Sequence, residues 1–199
     1  EAGPVSCLRA RDLRRKPGSV GQPVNDVDVR IVDASGDDVP PETPGEIVVR
    51  SDFNMLGYWR MPDATDAAFA GGWLHTGDLA LWDAEGFLHI VGRSKEMIKT
   101  GGENVFPAEI EQTLLVHPDV AECAVVGVPD ADWGESVLAV VVARAGASLT
   151  EDDVVEHVRA RLAGYKKPRH VRFVAELPRT ASTRQVQKAL LADRFVQGW

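Results

Sequence analysis

Residues 91–111, VGRSKEMIKTGGENVFPAEIE, mark the point at which the pattern of the chain changes. Before Arg93, short segments with alternating apolar residues are separated by Gly/Pro turns, as in VDVRIVD (27–33), which is typical of half-buried strands. After Arg93, apolar strand patterns alternate with helical ones. We therefore expect an α+β protein with a β-rich domain over 1–92 and a compact α+β domain over 93–199.

The β-rich half contains a predicted hairpin and one short helix. LALWD (79–83) and FLHIVGR (87–93) are strand patterns joined by the turn AEG, so the two should pair. GEIVVRS (45–51) is a further strand. DATDAAF (63–69) is predicted to be a helix with Asp63 as its N-cap.

Three helices are predicted in the second half. The pattern of 150–164, TEDDVVEHVRARLAG, has a capping pair, Thr150 and Asp153, at its start and Gly164 at its end. The other two helices are PAEIEQTLLVH (107–117), which begins with proline, and QVQKALLADRF (185–195).

Composition restricts the possible partners. The net charge of −8 argues against a nucleic-acid partner held by bulk electrostatics. Two cysteines, Cys7 and Cys123, are too few for a disulfide framework, and they favour a reducing, cytoplasmic location. The apolar run VLAVVVA (137–143) is far shorter than the roughly 18 residues of a membrane span and predicts a buried strand. The basic run RARDLRRK (9–16) contains an aspartate and favours a solvated surface over a binding patch.

Fingerprints of several enzyme classes are absent from the sequence. Neither GxxxxGK[ST] nor GxGxxG occurs, and HExxH and GxSxG are missing as well. A self-contained hydrolase or metalloenzyme is therefore disfavoured.

WLHTGDL (73–79) and the hairpin that follows place two charged residues where they could act together. Asp78 follows a glycine turn at the expected start of a strand, where a carboxylate can accept hydrogen bonds from two vicinal hydroxyls. Arg93 closes the next strand, so the hairpin could bring both groups to one edge. Taken separately, TGD could be only a tight turn and Arg93 only a surface cation.

Together these stretches resemble the adenylate-forming family of acyl-CoA synthetases, luciferases and peptide-synthetase adenylation domains. The resemblance implies a terminal piece of a β-barrel subdomain followed by a mobile lid domain. It runs through almost the whole chain, in the family's order. The matching segments are GWLHTGD (72–78), GRSK (92–95), IK (98–99), GG (101–102), Val105, Pro107, EIE (109–111), GVPD (127–130), YKKP (165–168) and LPRT (177–180).

The resemblance implies that the enzyme activates a carboxylic acid with ATP, giving an acyl-adenylate and pyrophosphate, and passes the acyl group to a thiol. Asp78 would then bind the ribose hydroxyls, helped by Arg93. Lys95 falls at the hinge about which the lid domain rotates. Gly101 and Gly102 would let the pantetheine arm of CoA pass close to the backbone, although a simple turn is the alternative.

The same family assigns roles to three more residues. Tyr165 and Lys166 would lie near the CoA phosphates, or would be only charges at the end of the preceding helix. Glu1 matches the family's glutamate that contacts the magnesium of the ATP complex. The family's phosphate loop and most of its acyl pocket have no counterpart in these 199 residues, so this fragment alone should be inactive and the natural protein longer.

The tail PRTASTRQVQK (178–188) departs from the family pattern, which usually reads Pro-x-Thr-x-Ser-Gly-Lys. That lysine reaches the acyl carboxylate and the α-phosphate during adenylation. Counting from Pro178 places Arg184 in its position, whereas counting back from the end of the stretch places Gln185 there. Lys188 is expected to be a surface charge on the last helix.

The sequence thus predicts the C-terminal part of an ATP-dependent fatty-acyl or aromatic-acyl CoA ligase. Its expected ligands are ATP or AMP, Mg²⁺, CoA and a small carboxylic acid, with no nucleic acid and no membrane span; oligomerisation is left open. The alternatives are a non-catalytic or adenylation-impaired relative that binds adenylate, CoA or a protein, and an adenylation domain that loads a carrier protein.

Overall fold

The computed structural model describes residues 1–198 and divides them into two compact units, Glu1–Lys95 and a second unit that begins at Glu96. Each unit has its own sheet and its own hydrophobic core. Strands and helices occur in both, so the predicted α+β class is confirmed. That Lys95 acts as a hinge stays a prediction.

The first unit is built on an antiparallel sheet. Its strands are β1 (Ser6–Cys7), β2 (Gln22–Pro23), β3 (Asp28–Val32), β4 (Gly45–Arg50), β5 (Leu74–Trp82) and β6 (Leu88–Arg93). β1 and β2 pair as a ribbon, and the other strands form a four-stranded sheet in the order β3-β4-β5-β6. Within residues 1–95 this sheet is open, with β3 and β6 at its edges, so the expected barrel piece contains no closed barrel.

The predicted alternation in VDVRIVD is present. Val27 and Ile31 are buried, and Val29 packs against the same core. The core is completed by residues of β4, β5 and β6: Ile47, Val49, Ala80 and Leu88. These strands therefore contribute their apolar side to one cluster, which holds the sheet together by burial.

The short helix differs from its prediction. α1 spans Pro62–Ala68, its N-cap is Met61, and no side chain caps it. Asp63 lies in the first turn instead of at the cap. Pro62 explains the earlier start, because proline has no N–H to satisfy and its fixed φ suits the first helical position.

The basic run 9–16 is not simply solvated. Lys16 Nζ lies 2.6 Å from Asp83 Oδ2, and both side chains are largely buried. Arg15 pairs with Glu85 in the same turn between β5 and β6. Lys16 and Arg15 are therefore paired within the unit, whereas Arg9, Arg11 and Arg14 are exposed. That the run is a solvated surface and not a binding patch stays a prediction.

The second unit is a sheet with helices on both sides. Its strands are β7 (Ile98–Thr100), β8 (Glu103–Val105), β9 (Val120–Asp130), β10 (Gly134–Ala143) and β11 (His170–Phe173). Its helices are α2 (Pro107–Leu115), α3 (Glu151–Arg159) and α4 (Lys188–Val196). The strand order is β11-β10-β7-β8, with β9 also paired to β10; β10 and β11 are parallel, and the other pairs are antiparallel.

The run VLAVVVA forms the buried centre of β10, as predicted. Successive residues point to opposite faces of a strand, and here both faces are covered. Val137, Ala139 and Val141 join the core that contains α2 and α3, whereas Leu138 and Val140 join the core that contains α4. Because both faces of β10 are buried, its sequence is continuously apolar and does not alternate with polar residues. Within residues 1–198, no helix combines the length and the apolar character needed to cross a membrane.

The helix ends are partly as predicted. Thr150 and Asp153 form the expected capping box at the start of α3. However, α3 ends at Arg159 and not near Gly164, and α2 ends two residues earlier than predicted. α4 begins at Lys188, because the preceding residues pair with 178–180 in a tight turn.

Candidate functional site

Asp78 and Arg93 lie side by side on the predicted hairpin. They are paired residues of β5 and β6, and Arg93 Nε lies 2.9 Å from Asp78 Oδ1. The Asp78 side chain is 33% exposed and that of Arg93 64%. The sequence predicted Asp78 at the start of a strand. It lies instead within β5, next to a break in the register with β4.

A cavity of about 370 Å³ opens beside this pair. Its volume is in the range of small-molecule sites. The apolar part of the wall comes from Val5, Val20, Ile47, Leu88 and Ile90. The polar part comes from Glu1, Tyr58, His75, Thr76, Asp78 and Arg93. The apolar part of the wall could thus pack against a flat apolar ring, and the polar part could bind hydroxyls and anionic groups.

Glu1 belongs to the same cavity wall. The Tyr58 hydroxyl donates a hydrogen bond of 2.8 Å to Glu1 Oε1, and the backbone N–H of Met55 donates to the Glu1 carbonyl. The bond to this carboxylate raises the pKa of Tyr58. Within residues 1–198, no group of three or more His, Cys, Asp or Glu side chains is arranged to hold a metal ion. A magnesium ion carried by nucleotide phosphates needs only one or two protein carboxylates, so Glu1 fits that more limited role.

Sequence reasoning missed Tyr58 and His75 in this wall. His75 belongs to the WLHTGDL segment, so its position next to TGD was the available signal. Tyr58 is 57 residues from Glu1, and no local pattern connects the two.

Gly101 and Gly102 form the turn between β7 and β8, with φ values of +58° and +86°. A side chain at Gly101 would collide with the ring of Trp133, whereas the space at Gly102 is open. The missing side chain of Gly101 therefore makes room for Trp133 in this structure. Whether a ligand also approaches this turn stays a prediction.

The interpretation of Lys166 as a helix-end charge is wrong. α3 ends at Arg159, and Lys166 lies in a separate 3-10 turn, Gly164–Lys166. Its Nζ is 2.8 Å and 2.6 Å from the carboxylate oxygens of Glu109, in the first turn of α2. Tyr165 is 44% exposed.

Lys95 and Arg184 are both exposed. Lys95 lies in the 3-10 turn Ser94–Glu96, at the end of the first unit. Arg184 has a φ of +59°, a left-handed conformation that is uncommon outside glycine. Its carbonyl accepts a hydrogen bond of 2.8 Å from Arg179, and Thr180 N–H bonds to the carbonyl of Gln185, so the turn is tightly closed.

Lys188 is not the surface charge that the sequence suggested. It is the first residue of α4, and its side chain is 21% exposed. Its Nζ lies 2.6 Å from Glu96 and 2.9 Å from Glu111. Burial acts to lower the pKa of Lys188, but the hydrogen bond to Glu96 and the charge of Glu111 outweigh it and raise that pKa.

Comparison with known proteins connects both units to one family. Residues 1–59 match the family described as AMP-binding enzyme, and residues 109–184 match the AMP-binding enzyme C-terminal domain. The second match ends at Arg184.

Among curated relatives, a feruloyl-CoA synthase of Amycolatopsis sp. is 46% identical over 98% of this chain. A long-chain-fatty-acid–CoA ligase of Escherichia coli is 46% identical over 90% of it. The chain spans 40% of the length of the first relative and 32% of the second.

Solved structures support the same relationship. ATP-bound MatB from Rhodopseudomonas palustris is 42% identical, with a TM-score of 0.84 over 91% of this chain and 36% of that one. The o-succinylbenzoate CoA synthetase of Bacillus subtilis, in complex with an acyl-adenylate, is 35% identical, with a TM-score of 0.88 over 94% of this chain and 38% of that one. Since sequence and fold agree along nearly its whole length, the chain belongs to the AMP-binding family of adenylate-forming enzymes.

Proposed function

We propose that this chain is the C-terminal part of an ATP-dependent carboxylic acid–CoA ligase. The observation that carries the proposal is the Asp78–Arg93 pair, which lines a cavity of ligand size. A carboxylate can accept hydrogen bonds from two vicinal hydroxyls, and a guanidinium has N–H donors for a phosphate. This combination suits the ribose and the α-phosphate of an adenylate.

The proposed reaction has two steps. A carboxylate oxygen of the acid attacks the α-phosphorus of ATP, the bond to the bridging oxygen breaks, and pyrophosphate leaves. The sulfur of CoA, after loss of its proton, then attacks the acyl carbonyl carbon, and AMP leaves with the electron pair of the broken C–O bond. Asp78 and Arg93 would hold the adenylate in both steps, so that binding and positioning are their contribution.

Glu1 would serve the first step. Tyr58 holds one of its carboxylate oxygens, which fixes the orientation of the group on the cavity wall. Glu1 would supply one ligand to the Mg²⁺ of the ATP complex, and this ion, when bound, neutralises phosphate charge. The positive charge of Arg184 would act on the acid and the α-phosphate in place of the lysine that is usual in the family.

The second step would involve residues of the second unit. The open space beside Gly102 is compatible with a pantetheine chain next to the backbone, with Gly101 supporting the turn through Trp133. Lys166 is paired with Glu109, so it could contact a CoA phosphate only by sharing its donors with that carboxylate. The exposed ring of Tyr165 is accessible to a ligand. Lys95 would be the hinge about which the second unit rotates between the first step and the second.

Aromatic and long-chain fatty acids are the proposed substrate classes. This proposal is supported by the names of the two curated relatives at 46% identity, a feruloyl-CoA synthase and a long-chain-fatty-acid–CoA ligase. Parallel assays of the full-length protein with both classes of acid would identify the preferred one.

Arg184 favours one alternative, an adenylation-impaired relative that keeps the binding of adenylate or CoA. A planar guanidinium differs from a compact ammonium in reach and in hydrogen-bond geometry, so the substitution could weaken the first step alone.

The test separates the two steps in the full-length protein. Acid-dependent exchange of pyrophosphate into ATP reports on adenylation, and thioester formation from a preformed acyl-adenylate reports on the second step. Asp78→Asn should reduce both, whereas Asp28→Asn, at an exposed ion pair of the same sheet, should change neither. Absence of both activities in the wild-type protein would refute the ligase function.

A further inference from the structure

We infer that Glu46 is a positioning residue that holds the backbone of Gly77, and through it orients Asp78 toward the ribose hydroxyls. This inference rests on the proposed function, because it assigns a role in the same nucleotide site. Glu46 is on β4, is 27% exposed and does not belong to the cavity wall described above. It would therefore act through its neighbours and not on the ligand itself.

The register of β4 and β5 creates the need for such a residue. Glu46 pairs with Leu79, and Val48 pairs with His75. On β4 a single residue, Ile47, lies between these two pairs, whereas on β5 three residues, 76–78, lie between them. The two extra residues form a bulge, and a bulge interrupts the hydrogen bonds of the ladder.

Side chains replace the interrupted ladder bonds. Glu46 Oε1 accepts a hydrogen bond of 2.9 Å from the Gly77 N–H, and Glu46 Oε2 lies 2.9 Å from His75 Nδ1. Thr76 Oγ1 donates to the Ile47 carbonyl at 2.8 Å and accepts from the Asp78 N–H at 3.1 Å. Glu46 thus bonds to the bulge at His75 and Gly77, and the Thr76 side chain links the bulge to β4 from the position between these two residues.

The bulge sets the position of the Asp78 carboxylate. Gly77 has a φ of +71°, which glycine adopts without strain, so the backbone there has little stiffness of its own. The hydrogen bond from the Gly77 N–H to the side-chain oxygen of Glu46 supplies the missing restraint. Asp78 follows immediately and meets Arg93 across the strand pair. Release of Gly77 would let Asp78 move relative to two hydroxyls that it must contact together.

The test compares ATP with 2′-deoxy-ATP and 3′-deoxy-ATP in pyrophosphate exchange by the full-length protein. We expect Glu46→Ala to raise the KM for ATP by about tenfold, with a smaller effect on kcat and on the deoxy analogues, since each lacks one hydroxyl that Asp78 would bind. Glu46→Gln should stay close to wild type, because its amide oxygen can still accept from Gly77. Glu46→Asp keeps the charge but is one methylene shorter, so it should behave like Glu46→Ala.

A merely structural role gives a different result. If Glu46→Ala changes KM and kcat equally for ATP and for both analogues, or if Glu46→Gln is as impaired as Glu46→Ala, the positioning role is refuted. Asp28→Ala removes an exposed carboxylate from the same sheet and serves as the control. Should Glu46→Ala fail to fold, the comparison of Glu46→Gln with Glu46→Asp carries the same test.

The variant Asp78→Asn distinguishes failure of the Glu46 role from failure of the proposed function on which it rests. If Asp78→Asn removes the discrimination between ATP and its deoxy analogues but Glu46→Ala does not, only the positioning role fails. If the wild-type protein does not discriminate between these nucleotides, the proposed role of Asp78 fails, and the role of Glu46 with it.

Discussion

The indole ring of Trp133 lies against Gly101, in the space that a side chain at this position would occupy. A Cβ atom there would be 2.4 Å from Cε3 of the ring, and the Gly101 N–H donates a hydrogen bond of 3.0 Å to the Trp133 carbonyl. The guanidinium carbon of Arg169 is 4.2 Å from the ring centroid. The turn between β7 and β8 is therefore joined to the start of β10 by direct packing.

Gly101→Ala should destabilise the second unit by about 2–4 kcal/mol. The left-handed backbone conformation accounts for about 1–2 kcal/mol, and the collision with the indole ring accounts for the rest. Urea unfolding monitored by circular dichroism measures this change in the free energy of unfolding.

Gly102→Ala is the matched control for this substitution. Gly102 has a left-handed φ of +86°, but a Cβ atom added there would have no heavy atom of residues 1–198 within 4 Å, apart from its chain neighbours. Gly102→Ala should therefore lower the free energy of unfolding only by the cost of the left-handed backbone, about 1–2 kcal/mol. The double variant Gly101→Ala/Trp133→Ala should be more stable than the sum of its single changes predicts. Equal costs for the two alanine substitutions would contradict the packing argument.

Lys188→Met should destabilise the second unit by about 1–3 kcal/mol. The substitution leaves the carboxylates of Glu96 and Glu111 without their shared cation, and both are partly buried. The pKa of Lys188 is raised in the folded state. The stabilisation is therefore complete below the unfolded pKa of about 10.5 and is lost only as the pH rises through the higher folded value.

An exposed ion pair of α3 provides the control for Lys188. Arg159 and Glu156 are 61% and 63% exposed, so Arg159→Met should cost less than about 1 kcal/mol. Thermal and urea unfolding of both variants between pH 7 and 11 gives the comparison. A Lys188→Met variant as stable as Arg159→Met would show that the buried network contributes nothing.

His157 should make stability depend on pH in the weakly acidic range. Its Nε2 lies 3.0 Å from the Thr113 carbonyl, and its ring packs edge to face on His117. Burial lowers the pKa of His157, and the charges of Arg161 and His117 add to this, against the opposing effect of the Thr113 bond. The unfolded chain therefore takes up a proton more readily, so stability should fall as the pH drops below about 6.5 and level off below the folded pKa.

His157→Gln tests this dependence. Glutamine can still donate to the Thr113 carbonyl but does not titrate. Urea unfolding from pH 8 to pH 5 should show a shallower fall in stability for the variant than for wild type. Asp153, whose pKa is lowered by its bonds to Thr150 and also by the charge of His117, remains ionised over this range. Identical pH profiles would exclude His157 as the source.

The features that could be predicted from the sequence are those set by local chemistry. The hairpin with its short turn predicted that Asp78 and Arg93 come to the same edge of two neighbouring strands. Their direct pairing also needs a shift in the register between Leu79 and Ala80, because the register next to the turn would place Gly92 opposite Asp78. The Thr150–Asp153 capping box followed from spacing alone. In both cases the partners are close in the chain, so no long-range register had to be known.

The features that could not be predicted depend on register and tertiary pairing. Glu46 reaches Gly77 across 31 residues through a bulge that no sequence pattern announces. The sequence predicts a surface position for Lys188, because no local pattern indicates its partner Glu96, which lies 92 residues earlier in the chain. The helical pattern places the start of α4 too early, because Val186 pairs with Arg179 and overrides that pattern.

Arg184→Lys should increase acid-dependent pyrophosphate exchange in the full-length protein by about tenfold or more, with thioester formation little changed. A lysine offers a compact ammonium that can approach the acyl carboxylate and the α-phosphate, and single charge contacts in a transition state have effects of this size or larger. Arg184→Gly separates charge from conformation. It relieves a φ of +59°, so it should raise stability by about 1 kcal/mol while abolishing exchange.

Arg159→Lys, at an exposed arginine of α3, controls for a general effect of the replacement and should leave both reactions unchanged. If Arg184→Lys folds normally but exchanges pyrophosphate at the wild-type rate, the position is not the one that acts on the α-phosphate. Gln185→Lys then distinguishes the two registers, because a rise in exchange with that variant alone would assign the role to the next residue along the turn. A rise with Arg184→Lys alone would show that the turn closed by Thr180 presents position 184 to the reacting groups.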